Sequence, residues 1–234
     1  EDPWNTFFTW GQGNLVFFDD NGNIQSSQGL NEYMAQGYRV QYANESIFIS
    51  GLSEDASDFI LVKMDLEGNV IWDQSYGGNS DDHCFGMDVN DNGEIFLVGH
   101  TLSGTENWDT YTIKVDFNGE LLWERIIGNP RGFDPEYIHD EAWGVRATDD
   151  GGCVTIAGTG DEYDEYSECI GDECSDIWRA YLIKFNEEGY VEWESIFSPL
   201  QISEDDYDWA GEDIDLTDDG GAIITDYELE FDPL

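Results

Sequence analysis

One hairpin-sized pattern recurs along the chain, and it constrains the fold more than any other feature. The unit reads Asp-x-apolar-apolar-apolar-Lys-apolar-Asp-x-x-Gly-x-apolar-x-Trp, with clear copies at 58–72 (DFILVKMDLEGNVIW), 109–123 (DTYTIKVDFNGELLW) and 179–193 (RAYLIKFNEEGYVEW) and a weaker one at 13–27. A second unit, Gly-x-x-apolar, then an Asp/Asn/Gly turn, then an apolar run, occurs at 37–51, 86–99, 144–158 and 211–225. Each unit is two short β-rich runs around a turn residue, the signature of a β-hairpin, and no helical period competes with it. Two hairpins per repeat give a four-stranded antiparallel blade. The turn glycines Gly22, Gly68, Gly119 and Gly189 lie 46, 51 and 70 residues apart, a spacing suited to propeller blades with loops of unequal length.

The expectation is a single all-β domain over 1–234, a four-bladed β-propeller. Three blades are whole, at about 37–77, 86–128 and 144–198. The fourth is shared between the N-terminal hairpin 14–28 and the C-terminal hairpin 211–228, because the chain opens with the Lys/Trp type of unit and ends with the other. Such closure removes exposed sheet edges. Two alternatives stay open: the half-blades pair between molecules to build an oligomer through the terminal strands, or the chain is part of a larger propeller.

This pattern resembles secreted bacterial and archaeal β-propeller repeat proteins, whose repeats look like LVKxDxxGxxxWxxxYGG…DGGYIxxG. The match rests on LVKMDLEGNVIWDQSYGG (61–78) and VRATDDGGCVTIAG (145–158). The resemblance implies the propeller fold and an extracellular or cell-surface location. For activity it implies only a broad range of adhesins, scaffolds and carbohydrate-associated proteins. A more distant likeness to quinoprotein propellers brings no complete cofactor-binding set.

The columns of the repeat read as structure. Lys63, Lys114 and Lys184, the only lysines, share one position and are expected to pair with a repeat Asp between blades. Trp72, Trp123 and Trp193 share another and are expected in the core.

Fifty-three acids against 8 bases give a formal net charge of -45. Nucleic acid and anionic membrane surfaces, both of which need clustered Lys and Arg, are poor partners for such a chain, and no run of 18 apolar residues is present for membrane insertion. Salt adaptation, partial neutralisation by Ca²⁺, and solubility outside the cell each account for the acidity. The first residue is Glu1 rather than Met, as in a mature form that has lost a leader, or in a chain cut at an arbitrary boundary.

Function is expected in the departures from the repeat. The acidic insertion 160–178 holds Asp161, Asp164, Glu165, Glu168, Asp172 and Asp176, a candidate Ca²⁺ site or otherwise a solvated loop. Cys169 and Cys174 flank a four-residue turn there and are expected to form a local disulfide. Cys84 with Cys153 would complete an even count, the other reading being two buried thiols. The stretch 204–208 is a second acidic candidate, and 129–142, with Arg131, Phe133 and Tyr137, a second candidate loop. Asn44 opens an Asn-Glu-Ser glycosylation sequon in a predicted turn. His83, His100 and His139 are scattered in sequence and read as structural. The leading expectation is a non-enzymatic extracellular module that binds protein or carbohydrate at a cell surface or serves in an appendage. The rival is a carbohydrate-active enzyme or lectin with an acidic site at the propeller mouth.

Overall fold

The computed structural model describes residues 13–160 except 133 and 137, residues 178–197 and 210–225, and the backbone of 169–170, 173–174, 208–209 and 226–229. These residues are all strand and turn, without a helix. An N-terminal hairpin pairs β1 (Asn14–Phe18) with β2 (Ile24–Gly29). The first four-stranded sheet is β3 (Met34–Ala43), β4 (Ser46–Ser53), β5 (Phe59–Met64) and β6 (Val70–Tyr76). The second is β7 (Asp82–Val89), β8 (Ile95–Thr101), β9 (Asp109–Val115) and β10 (Leu121–Ile127). In the third, β11 (His139–Ala147) and β12 (Cys153–Gly160) are followed by the two-residue pair β13 (Cys169–Ile170) and β14 (Glu173–Cys174), then by β15 (Arg179–Phe185) and β16 (Val191–Phe197). A C-terminal hairpin pairs β17 (Asp208–Leu216) with β18 (Ala222–Leu229). All pairing is antiparallel between sequence neighbours.

The turns form for a local reason. At 19–23, 65–69, 90–94, 116–120 and 186–190 an Asp or Asn side chain accepts the backbone N–H four residues on, at 2.7–2.9 Å. The fourth residue is Gly in the left-handed region, with φ from 77° to 87°, a conformation that costs Gly nothing. Asn44 and Glu45 take left-handed φ of 48° and 58° in the tight β3–β4 turn, and Asn44 is exposed.

The middle strands β4, β5, β8 and β12 are buried on both faces. That explains why their sequences run apolar without alternation, as strands covered on two sides do. Four apolar layers result. Leu15 and Phe17 of the first hairpin pack on the first sheet with Met34, Ile60 and Val62. Phe59, Leu97 and Ile113 fill the gap between the first and second sheets. Phe96, Val145 and Tyr181 fill the gap between the second and third. Ile214, Leu216 and Ile224 of the last hairpin pack on Val154 and Ile156 of the third. The inner strands β3, β7, β11 and β17 follow one another side by side.

A repeated contact sets the spacing of the stack. The turn glycine of each sheet lies under a side chain from the unit before it. A Cβ on Gly119 would lie 3.2 Å from the Trp72 ring, and one on Gly189 would lie 2.6 Å from Trp123. Gly68 meets Phe17 and Gln28 in the same way. Trp123 Nε1 and Tyr76 OH donate to carbonyls of these turns, Glu187 at 3.0 Å and Gly119 at 2.8 Å.

The two terminal hairpins are separate two-stranded sheets, with no ladder between them among the described residues. Three expectations need correction. Cys84 and Cys153 are not bridged. Both are buried thiols, Cys84 between the first and second sheets and Cys153 between the second and third, so the even count reflected two core positions. The lysines reach the next turn rather than a repeat Asp. Lys63 Nζ donates to Phe117 O at 3.1 Å and lies 3.2 Å from the centre of that ring, and Lys114 bonds Gly151 O and pairs with Glu94 of its own sheet. Lys184 does pair with an Asp, Asp150 at 2.8 Å, but within its own sheet. Trp193 is 44% exposed, whereas Trp123 is 8%.

Each inner strand carries a bulge, and the neighbouring strand approaches it closely. A Cβ on Gly99 would run into the His83 carbonyl oxygen. Gly99→Ala should therefore break the β7–β8 ladder and cost about 2–4 kcal/mol, read as a lowered urea midpoint with the fold otherwise retained.

Candidate functional site

The bulges create the most distinctive surface of the protein. Register skips Tyr38 in β3, Phe85 in β7, Trp143 in β11 and Glu212 in β17. A bulged residue has no partner across the ladder and its side chain is re-aimed. Three of the four are aromatic and they form a continuous row: Tyr38 and Phe85 ring centres are 4.8 Å apart, Phe85 and Trp143 4.4 Å. Tyr38 is exposed, and Phe85 and Trp143 are half-buried. Glu212 stands in the fourth position, and burial together with the nearby Glu141 raises its pKa.

The chain's three histidines converge beside this row. His83 and His100 face each other across the β7–β8 register, with ring centres 5.4 Å apart. Trp108 packs on both, at 4.8 and 4.7 Å, and Phe85 lies 5.0 Å from His100. His139, at the start of β11, is fully buried and holds Glu141 Oε1 at 3.3 Å through Nδ1. Burial holds His100 well below the usual imidazole range, and the charges of His83 and His139 push it the same way. His83 is also lowered by burial, against the pull of Asp81, Glu141 and Asp82. Nδ1 of His100 is buried without a hydrogen-bond partner. Exposed or half-buried aromatic faces, the half-buried His83 and two flanking carboxylates offer chemistry that can stack flat groups and hydrogen-bond polar ones.

A buried polar row runs behind the aromatic one at the same end of the sheets. In the second sheet Asp82, Thr101 and Asp109 are consecutive across the strands; in the third the same places hold Asp140, Thr159 and Arg179. Asp109 and Asp140 meet between these sheets. Burial lifts Asp109 to about 6 and Asp140 to about 7. Asp140 accepts Asn129 N–H at 2.5 Å, and the Arg131 charge acts against its shift. These carboxylates lie beneath the surface, with Asp140 fully buried.

The acidic candidates of the 160–178 insertion, Asp161, Asp164, Glu165, Glu168, Asp172 and Asp176, lie outside the described residues, as does the 204–207 part of the second acidic stretch. Only backbone is described for Cys169 and Cys174, which stand opposite each other in the β13–β14 pair. Among the described residues, no group of three or more His, Cys, Asp or Glu is arranged to hold a metal ion. In the 129–142 connection, Phe133 and Tyr137 also lie outside the described residues, while Arg131 reaches Thr159 O at 3.3 Å. The sequence reading missed the bulge row and the meeting of the histidines. The available signal was an aromatic residue directly before Gly in Phe85–Gly86 and Trp143–Gly144. No family model and no curated protein matches the chain.

Acidification should weaken the fold through His100. Its folded pKa is depressed, so the unfolded chain binds the proton first as pH falls below about 6.5. Stability present above that value is then lost, with His83, His139 and Glu141 the charged groups nearby. The melting temperature should fall between pH 7 and 5, and His100→Gln should flatten that slope.

Proposed function

We propose that this chain is a non-enzymatic, extracellular or cell-surface β-propeller that binds carbohydrate through the Tyr38–Phe85–Trp143 row. The row itself carries the reading. Flat aromatic faces stack on the apolar faces of sugar rings, and Glu212, Glu141 and His83 stand within the same surface to accept or donate hydrogen bonds to hydroxyls. The enzymatic alternative is less well supported, because of the two carboxylates with the most raised pKa, Asp140 is fully buried and Asp109 half-buried behind the row. Loss of tryptophan fluorescence on titration with soluble oligosaccharides tests binding. Trp143→Ala and Phe85→Ala should each weaken it about 5-fold or more, consistent with about 1–3 kcal/mol per stacked ring. A panel of neutral and acidic glycans without any response overturns the proposal.

The propeller rests on the two terminal hairpins being halves of one blade. The stack leaves one aromatic and one turn glycine unmatched. Trp193 is exposed, and Gly22 has nothing within 4 Å of where its Cβ would stand. They are the next pair in the series Trp72–Gly119 and Trp123–Gly189. A cleft of about 670 Å³ lies beside Trp193, between Lys184 and the β17–β18 turn, where an outer hairpin fits. Another lies between β1 and β3, lined by Leu15, Val40 and Ile49, where an inner hairpin fits. Pairing of β18 with β1 fills both. With the ring closed, Trp193→Ala should cost about 3 kcal/mol, as expected for a packed Trp, and the protein should remain a monomer by mass. A neutral Trp193→Ala overturns closure, and a polymer shows that the hairpins pair between copies.

A further inference from the structure

The junctions between successive sheets differ in charge at one repeated position. Between the second and third sheets, Asp109 meets Asp140 and the Arg131 charge acts on Asp140. In the third sheet the position of Asp109 is itself a cation, Arg179. Between the first and second sheets, Asp58 meets Asp82, and no Lys or Arg among the described residues pairs with either. The place that holds a guanidinium beside one acid pair is without one here.

The geometry of the Asp58–Asp82 pair is close. A Cβ on Gly77 would collide with Asp58 Oδ1 and Asp82 Oδ2 at once, so the two oxygens lie within about 5 Å, the span of two ligands across one Ca²⁺. Asp82 is fully buried. Its Oδ2 accepts Gly78 N–H at 2.7 Å and the Ser103 hydroxyl at 3.1 Å, but Oδ1 is buried with no partner. Asp58 is half-buried and its carboxylate accepts none of the hydrogen bonds seen here, while its backbone is held by Ser53 Oγ. Asp55, near enough for its charge to act on Asp58, lies at the outer edge. Burial, then the charges of Asp82 and Asp55, raise the pKa of Asp58, so a positive charge placed between the two carboxylates is favoured there.

We infer that Asp58 and Asp82 bind one Ca²⁺ at the junction of the first and second sheets. Two carboxylates with the Ser103 hydroxyl beside them are hard-oxygen donors, which suit Ca²⁺ and not the nitrogen and sulfur preference of Zn²⁺. The ion does at this junction what Arg131 does at the next. The site is distinct from the aromatic row and does not depend on it for its function.

The test is the melting temperature of the whole chain, stripped with chelator and held in high NaCl to screen its net charge. Millimolar CaCl₂ should raise it by about 5 °C or more, as expected near a hundredfold excess over the dissociation constant. MgCl₂ and NaCl of matched ionic strength should not. Asp58→Asn and Asp82→Asn should each abolish the Ca²⁺ increment, and Asp140→Asn should retain it. Asp58→Arg installs the cation that the third sheet carries in that column. It should melt at or above the Ca²⁺-free parent and ignore Ca²⁺. A rise no larger than that with Mg²⁺ or NaCl overturns the inference. So does a rise that survives in both Asp58→Asn and Asp82→Asn, which places the ion elsewhere, for example in the 160–178 insertion.

Discussion

Everything in this molecule depends on covering both faces of its sheets. The middle strands are apolar on both sides, so a sheet with one bare face loses roughly 25 cal/mol for every Å² of apolar surface left in water. The chain meets the requirement by stacking. The first sheet is covered by the N-terminal hairpin and the second sheet, and the third by the second sheet and the C-terminal hairpin. Two-stranded hairpins at the ends are what remains when each unit must serve as its neighbour's lid. The exposed residues of β16, Trp193 and Phe197 among them, and Val40 and Tyr42 of β3 mark where that cover is incomplete.

The same requirement decides where a strongly acidic chain places its few cations. Lys63 and Lys114 reach from one sheet to the turn of the next. Arg125 does likewise, bonding Glu188 O at 3.0 Å. Arg146 of β11 pairs with Asp213 and Asp215 of β17. Ion pairs at exposed positions are worth little, but these lie at the seams where acidic turns of successive sheets crowd together. Bonding to carbonyl oxygens also makes the lysines independent of which acid occupies the neighbouring turn. That is why one Lys column serves turns as different as Asp116–Glu120 and Thr148–Gly152.

The parts legible in the sequence were those written in local chemistry. Asp-x-x-Gly specifies its turn within five residues, so strand order and hairpin boundaries could be read directly, as could the three whole four-stranded sheets. What escaped was register and long-range pairing. A bulge is defined against the opposite strand, so nothing in Cys84–Phe85–Gly86 alone says that Phe85 is the skipped residue. His83 and His100 are 17 positions apart and meet only because the β7–β8 turn places them opposite each other, while His139 arrives from another sheet. The Cys84–Cys153 bridge failed for the same reason: an even count carries no distance. Trp193 shares its column with Trp72 and Trp123, but its exposure follows from what packs on it, which the column does not record.

Repeat symmetry itself points to one end of the stack. At the tight-turn end the repeats are nearly alike, since Asp or Asn, Gly and the preceding aromatic recur for folding alone. At the other end they diverge. The bulge row changes from Tyr38 to Phe85 to Trp143 to Glu212, the polar row changes from Asp109 to Arg179, and the connections 128–138 and 161–178 lengthen. Folding needs none of these differences, because a bulge requires only an extra residue and a junction only a compensated charge. A symmetric row would present the same group four times and hold a ligand in four equivalent orientations. Three different rings and one carboxylate instead give the row a direction, and a ligand bound as proposed would be read from one end to the other.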